Sequence, residues 1–204
     1  MSTRSRPRLG VLLSGRGSNF EAIARNVSEG RLEADIGLVF SNRPEAPGLA
    51  RARELGFPCG WIVSAGVDRS EFDAQVIELL KHHRVDLVCL AGYMRLLSGG
   101  FIAQYRERIL NIHPSLLPAF PGLDAQYQAL EHGVRISGCT VHLVDEHLDS
   151  GPIVMQASVP VLDDDTLETL SARILREEHR IYPEAIALIL SGRYRLEGRR
   201  VVRL

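Results

Sequence analysis

The chain has 204 residues, a formal net charge of −1 at pH 7 and 45% hydrophobic residues. This is enough apolar sequence for one domain with its own core, and a charge near zero gives no electrostatic basis for binding nucleic acid or a membrane surface. No apolar run approaches the roughly 20 residues of a membrane span, and residues 1–8 lack the apolar segment of a secretion signal. We therefore expect a cytoplasmic protein that binds neither nucleic acid nor a membrane.

The three cysteines, Cys59, Cys89 and Cys139, are widely spaced and lie in apolar contexts. Their odd number and their spacing fit neither a disulfide framework nor a zinc site. No His, Cys and Asp residues are grouped at ligand spacing either. The sequence therefore predicts reduced thiols and no metal.

In the first half of the chain, short apolar runs alternate with amphipathic segments. The runs predict strands over residues 9–13, 35–40, 59–63 and 86–91. The segments between them predict helices over residues 19–27, 46–55 and 69–83. Because the runs are continuously apolar, the strands should be parallel and covered on both faces. This pattern predicts an α/β fold with a doubly wound, mostly parallel sheet.

The pattern changes in the second half. Residues 136–144 and 153–161 are long, partly alternating runs separated only by a short turn region, so they should pair antiparallel. A helix is predicted over residues 166–190, and Pro183 should bend or interrupt it. Residues 193–204 read as a polar tail with a short hairpin.

A glycine-containing loop, Ser14-Gly-Arg-Gly-Ser-Asn-Phe, connects the first strand to the first helix. Backbone N–H groups at a helix N-terminus suit a phosphate, but a plain tight turn explains the same residues equally well. The string Gly15-Arg-Gly also suggests a nicotinamide-dependent dehydrogenase. The third glycine of a dinucleotide fingerprint is replaced by Phe20, which argues against that class.

The segment 111–151 carries an amide, an imidazole and a carboxylate. Asn111 and His113 stand where an apolar run meets a proline-broken loop, and Asp149 lies in a Leu-Asp-Ser-Gly-Pro turn. Together these groups suit acyl chemistry, with the amide for an oxyanion, the imidazole for proton transfer and the carboxylate to orient the imidazole. Taken singly, such a histidine is more often a structural hydrogen bonder, and an aspartate before Ser-Gly is usually a turn residue.

The strings around these residues are more specific than their spacing. Asn111-Ile-His-Pro-Ser-Leu-Leu-Pro, followed by Leu148-Asp-Ser-Gly-Pro, resembles the paired signature of the folate-dependent formyltransferases. The similarity runs from about Leu9 to about Gly192 and is strongest to the members that formylate glycinamide ribonucleotide in purine biosynthesis. The resemblance implies a Rossmann-like formyltransferase fold, 10-formyltetrahydrofolate as co-substrate, no metal, and a monomer or homodimer.

The resemblance also implies the parts of this single domain and its site residues. After a flexible segment at residues 1–8 come a phosphate-binding half over residues 9–110, a folate-binding and catalytic half over residues 111–192, and the tail. The implied catalytic residues are Asn111, His113 and Asp149. The residues implied for the amine substrate are Gly17, Ser18, Asn19 and Glu178. The residues implied for folate are Arg69, Met94, Arg95, Leu96, Leu97, Asn111, Asp145, Glu146, His147, Leu148 and Asp149.

For the mechanism, the resemblance implies direct attack of the substrate amine on the formyl carbon. The Asn111 amide and a protonated His113 would stabilise the oxyanion. Asp149 would favour that protonation and help to move the proton to the leaving nitrogen. No activated nucleophile is present, so no covalent enzyme intermediate is expected.

Several positions depart from relatives and leave details of the site open. Leu175 stands where relatives often have Gln, and Asp124 and Gln126 stand in a loop that bears histidines in relatives. His142 lies in the second segment that resembles the family, where a supporting role at the site and a purely structural role are about equally expected. Formyltetrahydrofolate hydrolases and methionyl-tRNA formyltransferases share parts of the motifs but resemble chains with an added domain, which we do not expect here. A formyltransferase for another amine and a non-catalytic binding module also stay open.

Overall fold

A computed structural model describes residues 6–204. Residues 1–5 of the segment predicted to be flexible, residues 1–8, lie outside the described part. The fold is α/β, with a doubly wound, mostly parallel sheet and antiparallel pairing toward the C-terminus, which confirms the predicted class. Two compact units are present: one ends at Leu110, and the other comprises Asn111–Leu204. Within residues 6–204, no helix is both long and apolar enough to cross a membrane.

The first unit contains four strands that were expected from the apolar runs. They are β1 (Arg8–Leu13), β2 (Asp35–Ser41), β3 (Cys59–Trp61) and β4 (Leu87–Leu90). Strand β1 pairs in parallel with β2 on one side and with β4 on the other, and β2 pairs in parallel with β3. Strand β1 therefore has a partner on each side, and its apolar residues Leu9 and Val11 to Leu13, whose side chains alternate between the two faces of the sheet, are fully buried.

Four helices accompany these strands. They are α1 (Ser18–Ser28), α2 (Pro47–Glu54), α3 (Arg69–His82) and α4 (Gly99–Gln104). The first three were predicted within two residues of their observed bounds. Helix α4 was missed, because six residues beginning with two glycines give no helical periodicity. Its N-cap is Ser98, whose hydroxyl accepts the N–H of Phe101.

Strand β5 (Ile109–His113) begins at the end of the first unit and continues into the second. The other strands are β6 (Ile136–Leu143), β7 (Ile153–Pro160), β8 (Tyr194–Glu197) and β9 (Arg200–Arg203). Strands β6 and β7 pair antiparallel, and β8 and β9 form the predicted hairpin. Strand β9 also pairs with β7, so the predicted tail belongs to the sheet.

Two helices lie in the second unit. The short helix α5 (Ala125–Glu131) was not predicted, whereas the long helix α6 (Leu167–Ser191) begins after its N-cap Thr166. Helix α6 runs for 25 residues through Pro183 without a break, so of the two expected effects, a bend or an interruption, the interruption does not occur. A proline removes one backbone hydrogen bond, and the burial of the Pro183 ring beside Tyr182 and Ile186 stabilises the helix at this point.

Candidate active site

Asn111, His113 and Asp149 lie together in the second unit. Strand β5 supplies the first two, and the turn between β6 and β7 supplies the aspartate. The His113 Nδ1 atom is 3.4 Å from Asp149 Oδ2, and the Asn111 Nδ2 atom is 3.5 Å from Asp149 Oδ1. The carboxylate therefore contacts both the imidazole and the amide, as the motifs predicted.

Asp149 is held in place by its backbone and by a loop. Its φ angle is 47°, in the left-handed region that aspartate adopts in turns. Its Oδ2 atom accepts the Gly122 N–H at 2.8 Å. Burial raises the pKa of Asp149, but the contact with His142, the Gly122 N–H and the nearby His113 imidazole outweigh it, so the pKa lies below its usual value. Asp149 is consequently a carboxylate at neutral pH.

Both ring nitrogens of His113 face acceptors. The Nε2 atom is 2.8 Å from the Phe120 carbonyl, which can only accept, so Nε2 carries a proton. The Nδ1 atom faces Asp149. Both ring nitrogens thus face oxygens that can accept a hydrogen bond, and an imidazole N–H is a donor suited to an oxyanion.

The loop after His113 is closed by local hydrogen bonds. Ser115 Oγ donates to the Ala119 carbonyl at 2.6 Å and lies 3.3 Å from the Phe120 carbonyl.

Two of the positions that depart from relatives lie at the start of helix α5. Asp124 is the exposed N-cap residue of α5, with a φ angle of 56° and no hydrogen bond from its side chain to the helix N-terminus. Gln126 is half-buried in the same helix.

In the first unit, the predicted phosphate loop leads into α1. Gly17 is the N-cap residue with a φ angle of 81°, and a Cβ atom there would lie 2.7 Å from the Gly48 Cα atom. Only glycine fits this position. Ser18 is half-buried and Asn19 is buried, while Arg16 is exposed. The N-terminus of this 11-residue helix can hold an anion through its backbone N–H groups.

The segment predicted to line the folate pocket exposes apolar side chains. Met94 is 59% exposed and Leu96 is 54% exposed. The side chain of Arg95 stacks on the Phe72 ring, with its guanidinium carbon 4.4 Å from the ring centroid. Leu97 is half-buried, and Arg69 is exposed at the start of α3. Exposed methionine and leucine side chains in one loop are typical of a ligand-binding surface.

Two buried polar side chains anchor this segment, and neither was predicted from the sequence. The hydroxyl of Ser14 accepts the Met94 N–H at 2.8 Å and donates to Asn42 Oδ1 at 2.6 Å. At the other end, Asp73 Oδ2 accepts the Ser98 N–H at 2.6 Å. The anchored groups are backbone N–H groups, so a sequence pattern of side chains gives no signal for these contacts.

The remaining predicted site residues lie in the second unit. Asp145 Oδ1 accepts the His147 N–H at 2.9 Å, which shapes the turn that leads to Asp149. Glu146, His147 and Leu148 are exposed in this turn. Glu178 is buried on α6.

Comparison with known proteins assigns the family. A family model described as formyl transferase matches residues 7–186. The chain belongs to the formyl transferase family.

Two relatives of this formyl transferase are similar to it over most of its length. It is 41% identical to phosphoribosylglycinamide formyltransferase of Escherichia coli (strain K12), over 91% of this chain and 88% of that protein. It is 47% identical to the trifunctional purine biosynthetic protein adenosine-3 of Drosophila melanogaster, over 94% of this chain. The chain spans only 14% of the length of that trifunctional relative.

Solved structures agree with this family and with the predicted fold. The crystal structure of glycinamide ribonucleotide transformylase 1 from Symbiobacterium toebii is 53% identical, has a TM-score of 0.96 and covers all of both chains. A formyltetrahydrofolate deformylase from Pseudomonas syringae has a TM-score of 0.92 at 27% identity, with 98% of this chain and 66% of that chain covered. The formyl transferase fold is thus shared by proteins named for transfer and for deformylation.

The cysteines and the potential metal ligands are the remaining candidates for reactive groups. In residues 6–204, no three His, Cys, Asp or Glu side chains are grouped to hold a metal ion. All three cysteines are free. Burial raises the pKa of the Cys139 thiol to about 12, and it also raises the pKa of Cys89, so these two thiols are neutral.

Proposed function

We propose that this formyl transferase moves the formyl group of 10-formyltetrahydrofolate to the amine of glycinamide ribonucleotide. The observation that carries the proposal is the contact of one buried carboxylate, Asp149, with both His113 and Asn111. A cationic donor and a neutral amide donor suit an acyl-transfer oxyanion. The relatives named for this activity, 41% and 53% identical, support the choice of substrates.

The amine nitrogen attacks the formyl carbon, and the carbonyl oxygen becomes the oxyanion of a tetrahedral intermediate. The Asn111 amide donates to this oxygen, and so does the His113 Nδ1–H, whose contact with Asp149 Oδ2 is long at 3.4 Å. When the intermediate collapses, the bond between the formyl carbon and the folate nitrogen breaks, and a proton lost by the amine is returned to that nitrogen. Asp149, an acceptor at neutral pH, assists this transfer. The amine nitrogen ends as the formamide, and no enzyme atom becomes acylated.

The other predicted residues bind the two substrates in this proposal. The N–H groups at Gly17, Ser18 and Asn19 bind the ribonucleotide phosphate, and Glu178 also contacts the ribonucleotide. The exposed apolar side chains of residues 94–97 and the turn at residues 145–149 bind the folate heterocycle, with Arg69 near its carboxylate end. Arg95 is held on Phe72, so its main contribution is through the backbone of this segment.

The test is the absorbance change of 10-formyltetrahydrofolate with and without glycinamide ribonucleotide. Loss of the formyl cofactor that depends on the ribonucleotide supports the transferase. An equal rate without the ribonucleotide would make the protein a deformylase, the alternative raised by the Pseudomonas syringae structure. Turnover with a different amine only would refute the substrate but retain the reaction class.

A further inference from the structure

His142 contacts two of the three catalytic side chains, although the mechanism above gives it no part. It lies in strand β6, where the pairing register with β7 shifts. Its side chain is only 2% exposed. The Nε2 atom is 3.1 Å from Asn111 Nδ2 and 3.6 Å from Asp149 Oδ1. A shift in register re-aims a side chain from a strand, and here it directs the imidazole to the catalytic cluster.

The second ring nitrogen identifies the tautomer. The His142 Nδ1 atom is 3.0 Å from the Leu143 carbonyl oxygen. A carbonyl only accepts hydrogen bonds, so Nδ1 carries the proton. In the neutral ring, Nε2 then has no proton and accepts a hydrogen bond.

The acceptor at Nε2 determines which way the Asn111 amide faces. With the nitrogen toward His142, an N–H group lies between the two atoms. With the oxygen there, two acceptors would face each other without a hydrogen between them. The two ends of an amide have nearly the same shape, so this hydrogen bond, rather than packing, selects one orientation.

We propose that His142 is a positioning residue that keeps the Asn111 amide nitrogen turned toward the reacting carbonyl. The proposal rests on the proposed function only in assigning Asn111 to the oxyanion. One N–H group is used by His142. The other is directed at Asp149 Oδ1 across 3.5 Å, a long contact that a formyl oxyanion replaces. In the reversed amide, oxygen lone pairs would repel both the oxyanion and Asp149.

One other arrangement of protons has to be distinguished. A doubly protonated His142 would donate from Nε2, either to Asp149 Oδ1 or to a reversed Asn111 amide. The titratable groups facing this position are Asp149 and, across its carboxylate, His113. The shorter contact is the one to Asn111, 3.1 Å against 3.6 Å, which favours the neutral ring.

Two variants of His142 separate positioning from a purely structural role. His142→Leu has an apolar side chain without an acceptor, whereas His142→Gln places an amide oxygen near the former Nε2 atom. Loss of an oxyanion donor itself costs about 10²–10³-fold in kcat, so loss of its orientation in His142→Leu should cost about 10- to 100-fold. His142→Gln should regain most of this loss, and KM for both substrates should change little in either variant. The same two substitutions at the exposed His82 serve as controls and should leave kcat unchanged.

The tautomer is measured on the unaltered protein by long-range nitrogen–proton NMR of the histidine rings. We expect His142 to be protonated at Nδ1 alone at neutral pH. Protonation at Nε2 would overturn the proposal, even if the variants fold poorly. Equal kcat losses in the Leu and Gln variants with normal melting temperatures would also overturn it. If the unaltered protein transfers no formyl group, the proposed function fails, whereas the NMR result still tests the position of the amide.

Discussion

Replacing Asp149 by asparagine tests the part of the site that the structure defines best. In the unaltered protein, Asp149 Oδ2 accepts the Gly122 N–H at 2.8 Å. The asparagine side chain keeps an oxygen that can accept this N–H, but it has no negative charge. The atoms Asp149 Oδ2 and His113 Nδ1 are 3.4 Å apart. At an effective dielectric constant of about 20, a unit charge pair at this distance interacts by on the order of 5 kcal/mol.

This interaction is strongest when His113 is charged, and the oxyanion step needs the charged ring. Because each ~1.4 kcal/mol in the barrier is tenfold in rate, Asp149→Asn should lower kcat by about 10³-fold. Folate binding should change little, since asparagine has the shape of aspartate and still offers an acceptor for the Gly122 N–H that holds the turn.

The assay is steady-state formyl transfer combined with a separate titration of folate binding by fluorescence. Lys81→Gln, which alters an exposed ion pair on α3, is a control that should keep normal kcat. A kcat for Asp149→Asn within a few-fold of the unaltered protein would refute the role of this carboxylate. A complete loss of folate binding in Asp149→Asn would show that the Asp149 carboxylate acts in binding rather than in the chemical step.

Three further predictions concern binding, stability and pH. Ser14→Ala removes the acceptor of the Met94 N–H and leaves a buried donor unsatisfied at a cost of about 1–3 kcal/mol, so KM for the folate should rise about tenfold or more. Gly151→Ala would push a side chain into a backbone carbonyl of β6, so chemical denaturation should show that the free energy of unfolding falls by several kcal/mol. The control is Gly99→Ala, where the added methyl group meets open space and the free energy of unfolding should change by less than about 1 kcal/mol. Because folding lowers the pKa of Asp149, its contribution to stability is present above the unfolded pKa of about 4 and is lost as pH falls through the lower folded value. The stability of Asp149→Asn should therefore depend less on pH in that acid range, as thermal unfolding at a series of pH values would reveal.

The sequence predicts the parts of the fold whose residues are buried on both sides. The continuous apolar runs of β1 and β4 are fully or nearly fully buried, so composition alone identifies them as central parallel strands. Helices α4 and α5 have only six and seven residues, too few for a helical period to stand out. Pro183 does not interrupt α6, because its burial in the helix offsets the low helix propensity of proline.

The site was predictable in its side chains and not in its contacts. Asn111, His113 and Asp149 were identified through their motif strings, and the fold brings them together. Their backbone partners, such as the Phe120 carbonyl at the His113 ring, have no sequence signal because every residue has a carbonyl. The Nδ1 proton of His142 likewise follows from a backbone contact. The roles of the binding residues, the division into functional halves and the oligomeric state stay predictions.

The most direct test of the proposed transfer is the fate of an isotopically labelled formyl carbon in a single turnover with glycinamide ribonucleotide. Direct attack by the substrate amine predicts that the label appears as a formamide on the ribonucleotide, with no label on the protein at any time. Label released as free formate, or retained covalently on the protein, would contradict this mechanism.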